Sequence, residues 1–221
     1  MSPERPVSPV SRASTVTLAE AAELARSGDV WLFRGHTGAD RAIRLATNAP
    51  VNHVAMAVVI DDLPAMMWHA ELGKRLLDLW TGTHHRGAQL HDLQAAVTRW
   101  TKGRGQQVFF RQLTPEIDHS QEDALLQTIA RWNGTSFPST ARLARRWLTG
   151  RRDVPRLPRL GKPEQAEAAY CAELAGITYE AMGVLEPARS TNWYDPGKFW
   201  SGDQLPVTPG FAFGGEIEVI V

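Results

Sequence analysis

The sequence predicts an α+β fold, an antiparallel sheet with a long helix packed against it, and three stretches carry that prediction. His53–Ile60 is apolar on both alternating faces, the pattern of a central strand covered on each side, with the imidazole as its one polar entry. Ala65–Leu72 alternates instead: Met66, Trp68, Ala70 and Leu72 fall on one face, and Met67, His69 and Glu71 on the other. The first set faces the core, so His69 and Glu71 are expected to point toward a cleft or solvent. Gln165–Met182 has helical composition and is stopped by Gly183.

The remaining elements follow in chain order. Residues 1–15, with three prolines and four serines, have the composition of a disordered leader. The rest, 16–221, is of a length suited to one domain. Thr17-Leu-Ala-Glu20 is a capping box that opens a short helix to about Ser27. Asp29–Arg34 follows Gly28 as a strand, and Ala39–Thr47 carries good helix formers. Asp61-Asp-Leu-Pro64 turns the chain between the two central strands. Val108–Leu113 is a further strand, Ser120–Trp132 a helix ended near Gly134, and Glu216–Val221 a terminal strand. Between about 138 and 165 the chain carries Arg142, Arg145, Arg146, Arg151 and Arg152, then Pro155, Pro158 and Pro163, which predicts a surface insertion. The sheet is therefore expected to contain the strands that begin near 29, 53, 65, 108 and 216.

Composition narrows the function. Twenty-four basic residues balance 24 acidic ones, so no overall field favours nucleic acid, which is excluded as an expected partner. The longest apolar run, Val54–Ile60, is far short of the roughly 18 residues a spanning helix needs, so no membrane span is expected. Met1–Val16 lacks the apolar stretch of a secretory signal, and the single cysteine allows no intramolecular disulfide; a cytoplasmic setting is the expectation.

That cysteine, Cys171, sits in Tyr170-Cys-Ala-Glu-Leu174 near the start of its expected helix. Free backbone N–H groups and the positive end of the helix dipole would there favour a thiolate. A neighbouring imidazole can accept the thiol proton and later protonate a leaving group. His53 is the candidate. If Ile60–Pro64 is a five-residue loop joining paired Val59 and Ala65, His53 opposes Glu71, Ala55 opposes His69, and both polar residues share the face of His53. A four-residue loop would send them to the opposite face.

The order of these motifs resembles that of the circularly permuted papain-like enzymes of the NlpC superfamily, in the YiiX-like branch. Gly28-Asp-Val-Trp-Leu-Phe-Arg-Gly35 resembles the opening strand, Asn52-His-Val-Ala-Met-Ala-Val58 the histidine strand, and Tyr170-Cys-Ala-Glu-Leu174 the cysteine helix. Ala172 and Ala55 depart from the serine and glycine frequent at those places. The resemblance implies a permuted papain-like fold with Cys171 as nucleophile, His53 as proton shuttle and His69 as the third residue; Glu71 is the alternative. It implies hydrolysis of an amide bond in a peptide, isopeptide or peptidoglycan fragment through a thioacyl-enzyme. The alternatives are acyl transfer, similar to that of lecithin:retinol acyltransferase relatives, and a non-catalytic papain-like binding module. The partner is then a small-molecule, peptide or acyl substrate, and the oligomeric state stays open.

Tyr170, Trp68 and Asn52 are the candidate substrate-binding residues. No cofactor and no metal are expected: His84, His85 and His91 lack ligand spacing and read as a solvated loop.

Overall fold

The computed structural model describes residues 15–135, 163–187 and 193–221. The strands are β1 (Thr15–Thr17), β2 (Val30–Arg34), β3 (His53–Val58), β4 (Met66–Glu71), β5 (Gly87–Asp92), β6 (Gln107–Arg111), β7 (Leu113–Thr114), β8 (Ala212–Phe213) and β9 (Ile217–Ile220). The helices are α1 (Leu18–Leu24), α2 (Gly38–Thr47), α3 (Leu93–Arg104), α4 (His119–Trp132) and α5 (Pro163–Ala181). Seven strands form one sheet in the order β1-β9-β6-β2-β3-β4-β5, and β7 pairs with β8. Only β1 and β9 run parallel; the other pairs are antiparallel. The chain is thus an α+β protein with a large, mostly antiparallel sheet.

Local signals place several of these elements where the sequence puts them. Thr17 caps α1, its hydroxyl accepting from the Glu20 N–H while the Glu20 carboxylate accepts from the Thr17 N–H. The β3–β4 pairing is Met56 to Trp68, Ala57 to Met67 and Val58 to Met66, the register that a five-residue Ile60–Pro64 loop requires. With that register, His53, Ala55 and Ala57 share one face with Met67, His69 and Glu71.

Each face of the sheet is covered, and the two cores are distinct. On one side Val54, Met56, Val58, Trp68, Ala70 and Leu90 pack with Cys171, Ala172, Ala175 and Tyr179 of α5, and with Leu125 and Ile129 of α4. On the other, Trp31, Phe33, Ala55, Ala57, Met67 and Phe110 pack beneath Leu93, Ala96, Val97 and Trp100 of α3. Those four α3 residues repeat at helical spacing, and burying each of the larger ones is worth ~1.5–3 kcal/mol, which holds the helix on the sheet.

The structure differs from the sequence reading in four places. The region between the 65 and 108 strands, left without elements, contains β5 and α3. His69 and Glu71 do not face a cleft or solvent: α3 covers that side, leaving them 1% and 0% exposed. The helix that carries Cys171 begins at Pro163, so Cys171 lies eight residues beyond its first residue rather than in an opening turn. Thr15, expected in the leader, is the first residue of β1. Residues 1–14 and 136–162, the latter holding most of the insertion expected at about 138–165, lie outside the described residues, and Pro163–Gln165 belong to α5.

Candidate functional site

The buried polar residues of β3, β4 and β5 form one hydrogen-bonded line on the α3 side of the sheet. His53 Nε2 lies 3.1 Å from His69 Nδ1, His69 Nε2 lies 2.9 Å from His91 Nδ1, and His91 Nε2 lies 3.0 Å from the Gln89 side-chain oxygen. Alternation explains the convergence. His69 and Glu71 on β4, and Gln89 and His91 on β5, point to one face, while Trp68, Ala70, Ala88 and Leu90 point to the other.

Gln89 gives the line its direction. Its amide nitrogen donates to the backbone carbonyls of Glu71 and Gly87, at 3.2 and 3.3 Å, so its oxygen must accept from His91 Nε2–H. His91 Nδ1 then accepts from His69 Nε2–H, and His69 Nδ1 accepts from His53 Nε2–H. All three imidazoles are neutral Nε2–H tautomers, and the chain ends at His53 Nδ1, a buried lone pair with no hydrogen-bond partner among the described residues.

Burial and charge keep the imidazoles neutral. Burial above all, then the His69 ring and the Arg104 guanidinium, holds His53 well below the usual histidine range. Burial and Arg104 bring His69 down to about 3, and burial with His69 brings His91 to about 3. Trp100 of α3 stacks on the His53 ring at 4.1 Å between centroids, and the Arg104 guanidinium sits 4.2 Å above Trp100.

Glu71, the alternative third residue, does not reach His53; its carboxylate takes Arg99 at 3.2 Å and Arg104 at 2.8 Å through a single oxygen. The second carboxylate oxygen is buried without a hydrogen-bond partner among the described residues. His69, Glu71 and His91 each offer a ligand atom, all within 4.8 Å of one another, so the spacing admits a metal ion. The surroundings oppose a dication: two guanidinium groups already flank the one carboxylate, and a metal would have to displace the His69–His91 hydrogen bond. The sequence reading placed His91 in a loop with His84 and His85; the structure places it in β5, 1% exposed, and only the other two in the loop. The alternation of Ala88 and Leu90 with Gln89 and His91 was the signal that could have found it.

Of the residues singled out from the sequence, the structure brings His53 and His69 together and keeps Cys171 apart. Cys171 is 1% exposed and packs in the apolar core on the α5 side. His53 lies on the α3 side, stacked on Trp100. The sheet stands between sulfur and ring. A position well inside α5 also removes the dipole contribution expected for Cys171, because that effect fades beyond the first turn.

The expected substrate-binding residues are occupied by the fold itself. Trp68 faces α5 and donates its indole N–H to the Thr178 hydroxyl at 3.1 Å. The Tyr170 hydroxyl donates to the Thr135 carbonyl at 3.3 Å. Asn52 accepts from the Gly35 N–H and donates to Asp40 at 3.1 Å, tying the end of β2 to the first turn of α2. All three are buried.

The fold and site define an α+β protein whose sheet carries a buried imidazole line on one face and a buried cysteine on the other. No family model matches the chain, and no curated protein matches it. Among solved structures it is similar to one described as the metalloprotein yiiX from Escherichia coli O157:H7, DUF1105. The match has 16% identity and a TM-score of 0.49, and covers 87% of this chain and 97% of that one. Among the described residues, no helix is long and apolar enough to cross a membrane.

Proposed function

We propose that this chain is a non-catalytic binding module on a permuted papain-like scaffold of the NlpC type, in which Cys171 serves the core. One observation carries this reading: the sheet stands between the Cys171 thiol and the His53 imidazole, and no hydrogen bond joins them. A thiol nucleophile is served by a base within hydrogen-bond reach, and the His53 imidazole does not take that place for Cys171, which lies buried and well inside its helix on the other face of the sheet. Free cysteine in such surroundings behaves as a small hydrophobe. On this reading the imidazole line, hydrogen-bonded from His53 Nε2 through His69 and His91 to Gln89, fixes β3, β4 and β5 to one another.

A second reading, thiol-dependent amide hydrolysis or acyl transfer, is favoured by one specific feature. His53 has its Nε2 engaged by His69 and its Nδ1 lone pair unpartnered, the state a general base needs. Because His53 is the first residue of β3, the sulfur would have to reach it past the end of that strand.

Incubation of the folded protein with an electrophilic probe for cysteine hydrolases, followed by peptide mass spectrometry, separates the two. The binding-module reading predicts no modification of Cys171 until denaturant is added. Rapid labelling of the folded chain at Cys171, lost in His53→Gln, would overturn it in favour of the hydrolase.

A further inference from the structure

We propose that the β4–β5 connection, residues 72–86, is a docking loop for an anionic lipid surface, an inference that stands apart from any role of Cys171. Its tip is a tight turn. Asp78 and Thr83 form a β-bridge, the Gly82 N–H donates to the Asp78 carbonyl at 2.8 Å, and Gly82 takes a φ of +66°. The turn is anchored from inside. Buried Asp78 accepts from the Leu90 N–H at 2.7 Å, the Asn133 amide at 2.9 Å, and both the N–H and the hydroxyl of Thr81. Those hydrogen bonds hold the Asp78 carboxyl down at about 2 against the opposing effect of burial, so the anchor stays ionised across the physiological range.

What this rigid turn presents is apolar. Leu77, Leu79 and Trp80 are 44%, 44% and 43% exposed, three of the large apolar side chains that the fold leaves in water, within four residues of one another. Around them lie Lys74, Arg75, His84 and Arg86, all exposed, and the only acid in the loop is the buried Asp78. Two aliphatic side chains and an indole ringed by cations match the headgroup region of a bilayer carrying acidic lipids. There the indole and the leucines enter the interface, and the basic groups meet the negative surface. A purely polyanionic partner such as RNA would use the cations and leave the leucines without a contact, which favours the lipid surface.

The test is co-sedimentation of the full chain with large unilamellar vesicles, of phosphatidylcholine alone or with about 30% phosphatidylserine, at low and high salt. The expected result is binding to the serine-lipid vesicles and not to the neutral ones, weakened by salt. Leu79→Ser with Trp80→Ser should weaken binding by about tenfold or more through lost apolar contact, in a chain whose far-UV circular dichroism matches that of the wild type. Lys74→Glu with Arg75→Glu should remove the preference for the acidic lipid. No sedimentation with acidic vesicles would overturn the proposal. So would wild-type affinity in either double variant, since binding would then run through another surface or through charge alone.

Discussion

Acidification should destabilise this fold steeply, because its core holds imidazoles that the folded state keeps unprotonated. In the unfolded chain His69 and His91 titrate near 6.5; folded, each is brought down to about 3. Below the unfolded value the unfolded state binds protons that the folded state excludes, so stability is intact above about pH 6.5 and falls progressively as pH drops toward 3. Between pH 7 and pH 5 each imidazole accounts for about 2 kcal/mol, so the two together remove on the order of 4 kcal/mol, a large share of an ordinary domain's stability. His53 is shifted in the same direction and adds to the loss, while Asp29, raised by burial to about 6, takes up its proton first in the folded state and offsets about 1 kcal/mol of it. Urea denaturation at pH 7, 6 and 5, followed by far-UV circular dichroism, reads this as a falling midpoint at constant slope. His91→Gln should flatten the dependence by about 2 kcal/mol over that interval, since one titrating group is gone. A midpoint that does not move between pH 7 and 5, or a His91→Gln chain as acid-sensitive as the wild type, would refute the reasoning.

Other predictions follow from single contacts. Nitrogen-detected NMR should find His53, His69 and His91 all as Nε2–H tautomers at pH 7, and Gln89→Leu, which orphans the His91 N–H, should cost ~1–3 kcal/mol by chemical denaturation. Trp68→Phe, which leaves the Thr178 hydroxyl without the indole N–H, should cost about 1 kcal/mol, and Trp68→Ala ~3–5 kcal/mol by the same measurement. Gly176→Ala should lower the melting temperature, because a methyl group there would overlap the Tyr194 ring that packs on α5; an overpacking cost of ~1–3 kcal/mol is expected.

The sheet's centre was legible because its signals are local. Five residues between Val59 and Ala65, with Pro64 unable to donate to a ladder, fix the β3–β4 register, and that register puts His53 and His69 on one face. The environment of that face was not legible without α3. Leu93, Ala96, Val97 and Trp100 do repeat at helical spacing behind the Asp92 cap, but Gly103 and two threonines interrupt the composition of a strong helix. With α3 in place, an outward polar face becomes a buried one.

The position of Cys171 was hidden for a different reason. β3 is apolar on both faces, so its alternation cannot say which face receives α5. The side with Val54, Met56 and Val58 took the cysteine helix, and the side with Ala55 and Ala57 took α3. Motif order along the chain carries no information about that choice, which is made by packing across the whole sheet.

The proposal turns on Cys171 being a buried core thiol that the sheet separates from His53. Its most direct test is the rate of iodoacetamide modification of the folded protein between pH 5 and 9, in the wild type and in His53→Gln. The account predicts negligible modification in the folded state at every pH, in both proteins, with full reaction on unfolding. Fast modification below pH 7 in the wild type, abolished by His53→Gln, would contradict it.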